Sequence, residues 1–112
     1  MKNPKFQIFT GKSGQYYFRL RAGNGEPVLA SEGYSSKSGA KNGIESVKRN
    51  ARNDARYERK VASNGKFFFN LEAGNREIIG KSEMYNSKRS RDNGIEVIKR
   101  IAPSAPVEDA TD

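Results

Sequence analysis

The sequence contains no cysteine, no histidine and no tryptophan. Without cysteine there is no disulfide framework, no thiolate metal ligand and no thiol nucleophile. Without histidine, zinc sites that need imidazole are excluded, as are Ser-His-Asp and Cys-His hydrolases. A carboxylate-only Ca²⁺ or Mg²⁺ site stays formally open, but the acids are scattered and no D-x-[DN]-x-[DN]-G loop occurs. No metal and no cofactor is expected. Long apolar runs are also missing: none approaches the roughly 20 residues of a membrane span. Met1-Lys2-Asn3-Pro4-Lys5 is not followed by an apolar signal core. The expectation is therefore a cytoplasmic protein with no membrane partner.

What is abundant is positive charge. The 112 residues carry 21 Lys and Arg against 13 Asp and Glu, a net charge of +8. The excess is unevenly spread. After Ala102 come Glu108, Asp109 and Asp112 with no Lys or Arg, so the preceding chain has 21 basic against 10 acidic residues, a net +11. A basic body favours an anionic partner, nucleic acid or acidic protein, and the plainer reading of the same charge is solubility. The length fits one small domain.

The dominant pattern is an internal duplication. With Gly14 set on Gly65, an offset of 51, the chain repeats without a gap, and 19 of the 38 positions from Gly14 to Ala51 are identical. Ala22-Gly23-Asn24-x-Glu26 recurs as Ala73-Gly74-Asn75-x-Glu77, Ser31-Glu32-x-Tyr34-x-Ser36-Lys37 as Ser82-Glu83-x-Tyr85-x-Ser87-Lys88, and Asn42-Gly43-Ile44-Glu45 as Asn93-Gly94-Ile95-Glu96. The repeats are placed at 4–51 and 55–102, with 103–112 as an acidic tail.

Each half reads as three strands and a helix. Gln15 to Ala22 alternates, with Tyr16, Phe18, Leu20 and Ala22 on one face and Tyr17, Arg19 and Arg21 on the other; Lys66 to Ala73 likewise buries Phe67, Phe69, Leu71 and Ala73. Ser13-Gly14, Asn64-Gly65 and Asn24-Gly25 are turn signals that need positive φ. The meanders are predicted as Lys5–Thr10 or Arg56–Ala62, the long strand, then Glu26–Ser31 or Glu77–Ser82. Ser36 and Ser87 are the predicted helix N-caps. Ala40, Gly43, Ile44 and Val47 form one apolar stripe, and Gly94, Ile95 and Ile98 the other. A mid-helix glycine costs about 1 kcal/mol against alanine, so its retention at Gly43 and Gly94 implies a close approach that a β-carbon would block. Tyr34 and Tyr85, just before the caps, read as packing residues at the strand-to-helix turn. The predicted fold is α+β: one antiparallel sheet from both halves, with two helices on one face and pseudo-two-fold symmetry. With the repeat pair already in one chain, a monomer is expected over a homo-oligomer.

These repeated motifs resemble the YegP-like family, bacterial proteins with one or two copies of a domain of unknown function. The resemblance runs from about Phe6 to Ala102. It implies three strands, a helix and a further strand per repeat, merged into one sheet with the final strands exchanged. Under that pattern Pro106 to Ala110 is a short strand returning to the first half, where composition alone reads a disordered acidic end. Arg76 stands where repeat one has Gly25, a weaker turn residue. No catalytic activity follows from the resemblance.

Gly11-Lys12-Ser13 is not a phosphate-binding loop: Phe6 stands where the first glycine belongs, and a strand follows instead of a helix. Ser36-Lys37 and Ser87-Lys88 open helices, where exposed N–H groups and a lysine can hold an anion; the plainer reading is a cap with each lysine paired to Glu32 or Glu83. The helix-free sheet face carries Tyr17, Arg19 and Arg21 from half one and Lys66, Phe68 and Asn70 from half two. Aromatics interleaved with cations on an open sheet stack bases and neutralise phosphates; alternatively Tyr17 and Phe68 pack against a protein partner or a crossing segment. Paired glutamates at Glu45 and Glu96 or Glu32 and Glu83 read more simply as partners for lysine and arginine than as a glycosidase-like acid pair. The sequence thus points to a non-enzymatic module for an anionic partner, nucleic acid being one form, with a structural or protein-interaction module as the alternative.

Overall fold

The structure, a computed structural model, describes residues 3–111. Its elements are β1 (Lys5–Thr10), β2 (Tyr16–Arg21), β3 (Pro27–Ala30), α1 (Lys37–Asn50), β4 (Tyr57–Val61), β5 (Phe67–Glu72), β6 (Ile78–Lys81), α2 (Lys88–Ile101) and β7 (Val107–Asp109). The strands form one sheet in the order β4-β5-β6-β3-β2-β1-β7. The first six places read outward symmetrically from the β6–β3 junction, each half contributing one meander. The expected exchange is present: β4 follows α1 but pairs with β5, and β7 follows α2 but pairs with β1. The sheet is mixed rather than antiparallel throughout, because β7 runs parallel to β1, Phe6 opposite Val107 and Ile8 opposite Asp109. The tail leaves α2 beside the start of β1, with Phe6 N–H donating to Pro106 C=O at 2.8 Å, and so continues in the direction of β1.

The alternation reads out as burial. Phe6 lies opposite Leu20, Ile8 opposite Phe18, and Tyr57 opposite Leu71. These side chains, with Leu29, Phe69, Ile44, Val47, Ile95 and Ile98, form one core between sheet and helices. Both halves break the alternation at the same place. A bulge sets Arg21 opposite Pro27 after Leu20 opposite Leu29, and Glu72 opposite Ile78 after Leu71 opposite Gly80. The extra residues, Val28 and Ile79, join the core although strict alternation would send them outward. At the junction of the halves, a β-carbon on Gly80 would lie 2.6 Å from Leu29 Cγ. Symmetry-related positions thus hold one leucine and one glycine, because two side chains do not fit there.

The recurrent residues have matching duties. Ser36 and Ser87 cap the helices, accepting from Gly39 N–H and Ser90 N–H at 3.0 Å each. Ser31 and Ser82 hydroxyls accept from Phe18 and Phe69 N–H at 2.9 Å, closing the ladder beyond the third strand. Tyr34 and Tyr85 pair by backbone with Tyr16 and Phe67, and their rings stack on Phe18 and Phe69 at 6.2 and 6.5 Å. Each tyrosine hydroxyl lies directly over a helical glycine: a β-carbon on Gly43 would be 2.8 Å from Tyr34 Cζ and 2.9 Å from Phe18 Cε2, and one on Gly94 would be 2.8 Å from Tyr85 Cζ. The close approach expected at Gly43 and Gly94 is therefore present, with a tyrosine as the main occupant of the space. The turn glycines Gly14, Gly25 and Gly65 have φ of 80–87°, and Arg76 takes the place of Gly25 at φ 71°.

Candidate nucleic-acid interface

The helices cover one face of the sheet, and among the described residues no element covers the other. Register places one residue per strand in a row across it: Glu108, Gln7, Arg19, Ala30, Lys81, Asn70 and Glu58. The acids stand at the two edges. The centre holds Arg19 and Lys81, two strand spacings apart, about 10 Å, with only Ala30 between them.

Neither central cation has a carboxylate partner within the described residues. Each rests on an aromatic ring instead. Arg19 lies 3.9 Å above the Phe9 centroid, and Lys81 Nζ is 4.9 Å from that of Phe68. Arg19 Nε is buried without a hydrogen-bond partner, and burial followed by the adjacent Arg21 charge lowers the guanidinium pKa. Phe9 stacks on Tyr17 at 5.7 Å, and the Tyr17 hydroxyl donates to Gln15 Oε1 at 3.4 Å.

The expected aromatic-cationic track is not continuous. Tyr17 and Phe68 are separated by β3 and β6 and lie on opposite sides of the central row. That places them about 14 Å apart across the sheet and four residues apart along it. Phe68, expected as an exposed platform, is only 9% accessible, and Asn70 is buried with Nδ2 donating to Glu58 at 3.2 Å. Arg21 is engaged: its Nε donates to Gln7 Oε1 at 2.6 Å and Nη1 to Gly25 C=O at 2.7 Å, while Gln7 Nε2 donates to Glu108 at 2.6 Å. Lys66 is exposed in the turn before β5. The face also holds residues outside the expected set, among them Phe9 and Lys81, which carry its aromatic–cation contacts. Extending the alternation through β1 reaches Phe9, whereas the bulge at Ile79 breaks the parity that would have placed Lys81.

The helix starts differ from each other. Lys37 pairs with Asp109 of β7 at 2.8 Å rather than with Glu32, so a carboxylate of the chain itself takes the anion's place at α1. Lys37 and the Thr111 hydroxyl and N–H hold the Asp109 carboxyl well below the ordinary range. Glu108 is likewise lowered, by Gln7 and Lys5, the latter at 2.9 Å. Lys88 at α2 has no ion pair within the described residues, with Glu83 or otherwise.

No helix among the described residues is long and apolar enough to cross a membrane. Comparison with known proteins supplies the lineage. The family described as "Domain of unknown function (DUF1508)" matches at residues 12–58 and again at 62–109. A UPF0339 protein in the ptx operon 5′ region of Stutzerimonas stutzeri is 56% identical over 102 residues, covering 91% of this chain and 92% of that one. The UPF0339 protein YegP of Escherichia coli K12 is 48% identical over 106 residues, covering 95% and 96%. Among solved structures, the solution structure of E. coli YegP superposes with a TM-score of 0.92 at 46% identity, covering 99% of this chain and 96% of that one. That of UPF0339 protein SO3888 from Shewanella oneidensis gives 0.91 at 45%, covering 97% and 92%. The chain therefore belongs to the UPF0339 family and carries its domain of unknown function in two tandem copies.

Proposed function

We propose that the chain is a non-enzymatic binding module whose helix-free sheet face takes an anionic partner, a single-stranded nucleic acid in its sharpest form. The observation that carries this is the central pair, Arg19 and Lys81, held on aromatic rings rather than on carboxylates. Neither cation has a carboxylate partner among the described residues to give up before it meets an anion. Phe9 and Tyr17 beside Arg19 add a stacked aromatic unit next to the charge, the combination that tolerates any base sequence. Exposed Ile78 and Met84 in half two, 45% and 44% accessible, favour a second reading in which an acidic protein is the partner.

Titration of labelled single- and double-stranded oligonucleotides from about 20 to 300 mM salt tests the reading. Affinity is expected to fall steeply with salt, and Arg19→Ala with Lys81→Ala to weaken binding at every sequence and flatten the salt slope by about one phosphate contact each. Absence of binding at the lowest salt removes the nucleic-acid form. Binding that the double variant leaves unchanged removes the face.

A further inference from the structure

Several recurrent residues, Glu32, Glu83, Glu45 and Asn42 among them, make no side-chain hydrogen bond or ion pair among the described residues. Glu26 and Glu77 are kept in both halves, yet neither carboxylate has an ion pair or a hydrogen bond in the described structure. Their backbone N–H groups are satisfied by Asn24 and Asn75 at 3.0 Å each, which accounts for the asparagines but not for the glutamates. Asn93 likewise makes no side-chain hydrogen bond.

These residues meet across the two halves. The helix of each half packs over the third strand of the other, α2 on β3 and α1 on β6. An open cleft of about 310 Å³ results between the β2–β3 turn of half one and α2 of half two. Ala22, Val28 and Val97 form its apolar wall. Glu26, Asn93 and Tyr85 contribute its uncommitted polar groups. The Tyr85 hydroxyl, set over Gly94, makes no hydrogen bond among the described residues. The volume is at the small end of ligand pockets, and apolar walls with a few convergent polar groups are their usual lining. Glu26 is the only charged residue in the lining, in a chain with a large cationic excess. Around Tyr34 part of the arrangement recurs: the tyrosine covers Gly43, and burial, then Glu32 and Glu77, raises its hydroxyl pKa.

We propose that this cleft is a binding site for a small organic cation, a primary ammonium on a compact apolar body, with Glu26 taking the charge and Asn93 and Tyr85 the remaining hydrogen bonds. The proposal goes beyond the sheet-face reading and stands on the other face of the sheet, so either can fail without the other.

The test is an amide-resonance NMR titration of the full chain with benzylamine, and with benzyl alcohol and benzoate as neutral and anionic counterparts. Saturable shifts with benzylamine are expected at Asn24, Glu26, Tyr85, Asn93 and Gly94, and none of comparable affinity with the other two. Glu26→Gln, at an exposed turn position, is expected to weaken binding at this cleft at least about tenfold, the scale of one charge-assisted hydrogen bond. No saturable shift with benzylamine, equal binding of benzyl alcohol, or unchanged binding in Glu26→Gln would each overturn the proposal.

Discussion

At the scale of single residues, Gly43 and Gly94 decide how closely helix and sheet approach. Alanine is the better helix former by about 1 kcal/mol, so propensity alone predicts that Gly43→Ala stabilises the protein. The space is taken, however, by a tyrosine stacked on a fully buried Phe18, and overpacking a core costs about 1–3 kcal/mol. We expect Gly43→Ala to lower stability by about 1 kcal/mol in denaturant unfolding, and Tyr34→Phe, which removes the nearest atom, to recover part of the loss in the double variant. If Gly43→Ala is stabilising, the glycine is not kept for space. The need for a small residue was legible from its recurrence. Its neighbour was not, because no sequence pattern brings a pre-helical tyrosine back over the second turn of the helix.

At the scale of elements, β7 is the part least determined by local sequence. Three residues carry no periodicity, and acidic composition argues for disorder; only the family resemblance placed a strand there. Lys5, Gln7 and Lys37 hold it, and their charge and hydrogen bonds lower the folded-state pKa of Glu108 and Asp109. A lowered folded-state pKa means that docking is fully supported above the unfolded carboxylate values, near 4, and is lost as pH falls through the folded ones. Acidification below about pH 4 is therefore expected to release β7 before the rest of the sheet. Amide resonances of Ala110, which donates to Ile8 C=O at 2.8 Å, and of Phe6 report it. High salt should act in the same direction, since the pairs are exposed. Amides of Ala110 and Phe6 that titrate identically in the wild type and in Lys5→Ala with Lys37→Ala would show that backbone pairing alone holds the strand. The other strands were readable because alternation and turn glycines agree. Where a bulge shifts the register, at Val28 and Ile79, parity fails, and so does any reading that extends it.

At the scale of the molecule, duplication determines the shape and then divides the surface. Two meanders joined at β3 and β6 make a sheet too wide for a single aromatic track, so Tyr17 and Phe68 end up far apart although they are equivalent in sequence. Strand order is not written in either repeat, which is why the two cations that flank Ala30 at the centre, Arg19 and Lys81, come from non-equivalent positions. The acidic tail, carried to the sheet edge by β7, neutralises Lys5 and Lys37 and leaves the centre positive. The most direct measurement is a map of amide shifts on adding a short oligothymidylate at low salt. The largest shifts are expected on Arg19, Ala30, Lys81 and their strand neighbours, with α1 and α2 unaffected. Shifts concentrated on the helices, at Lys48, Arg49 or Lys88 and Arg89, with the sheet face silent, would contradict a site on that face.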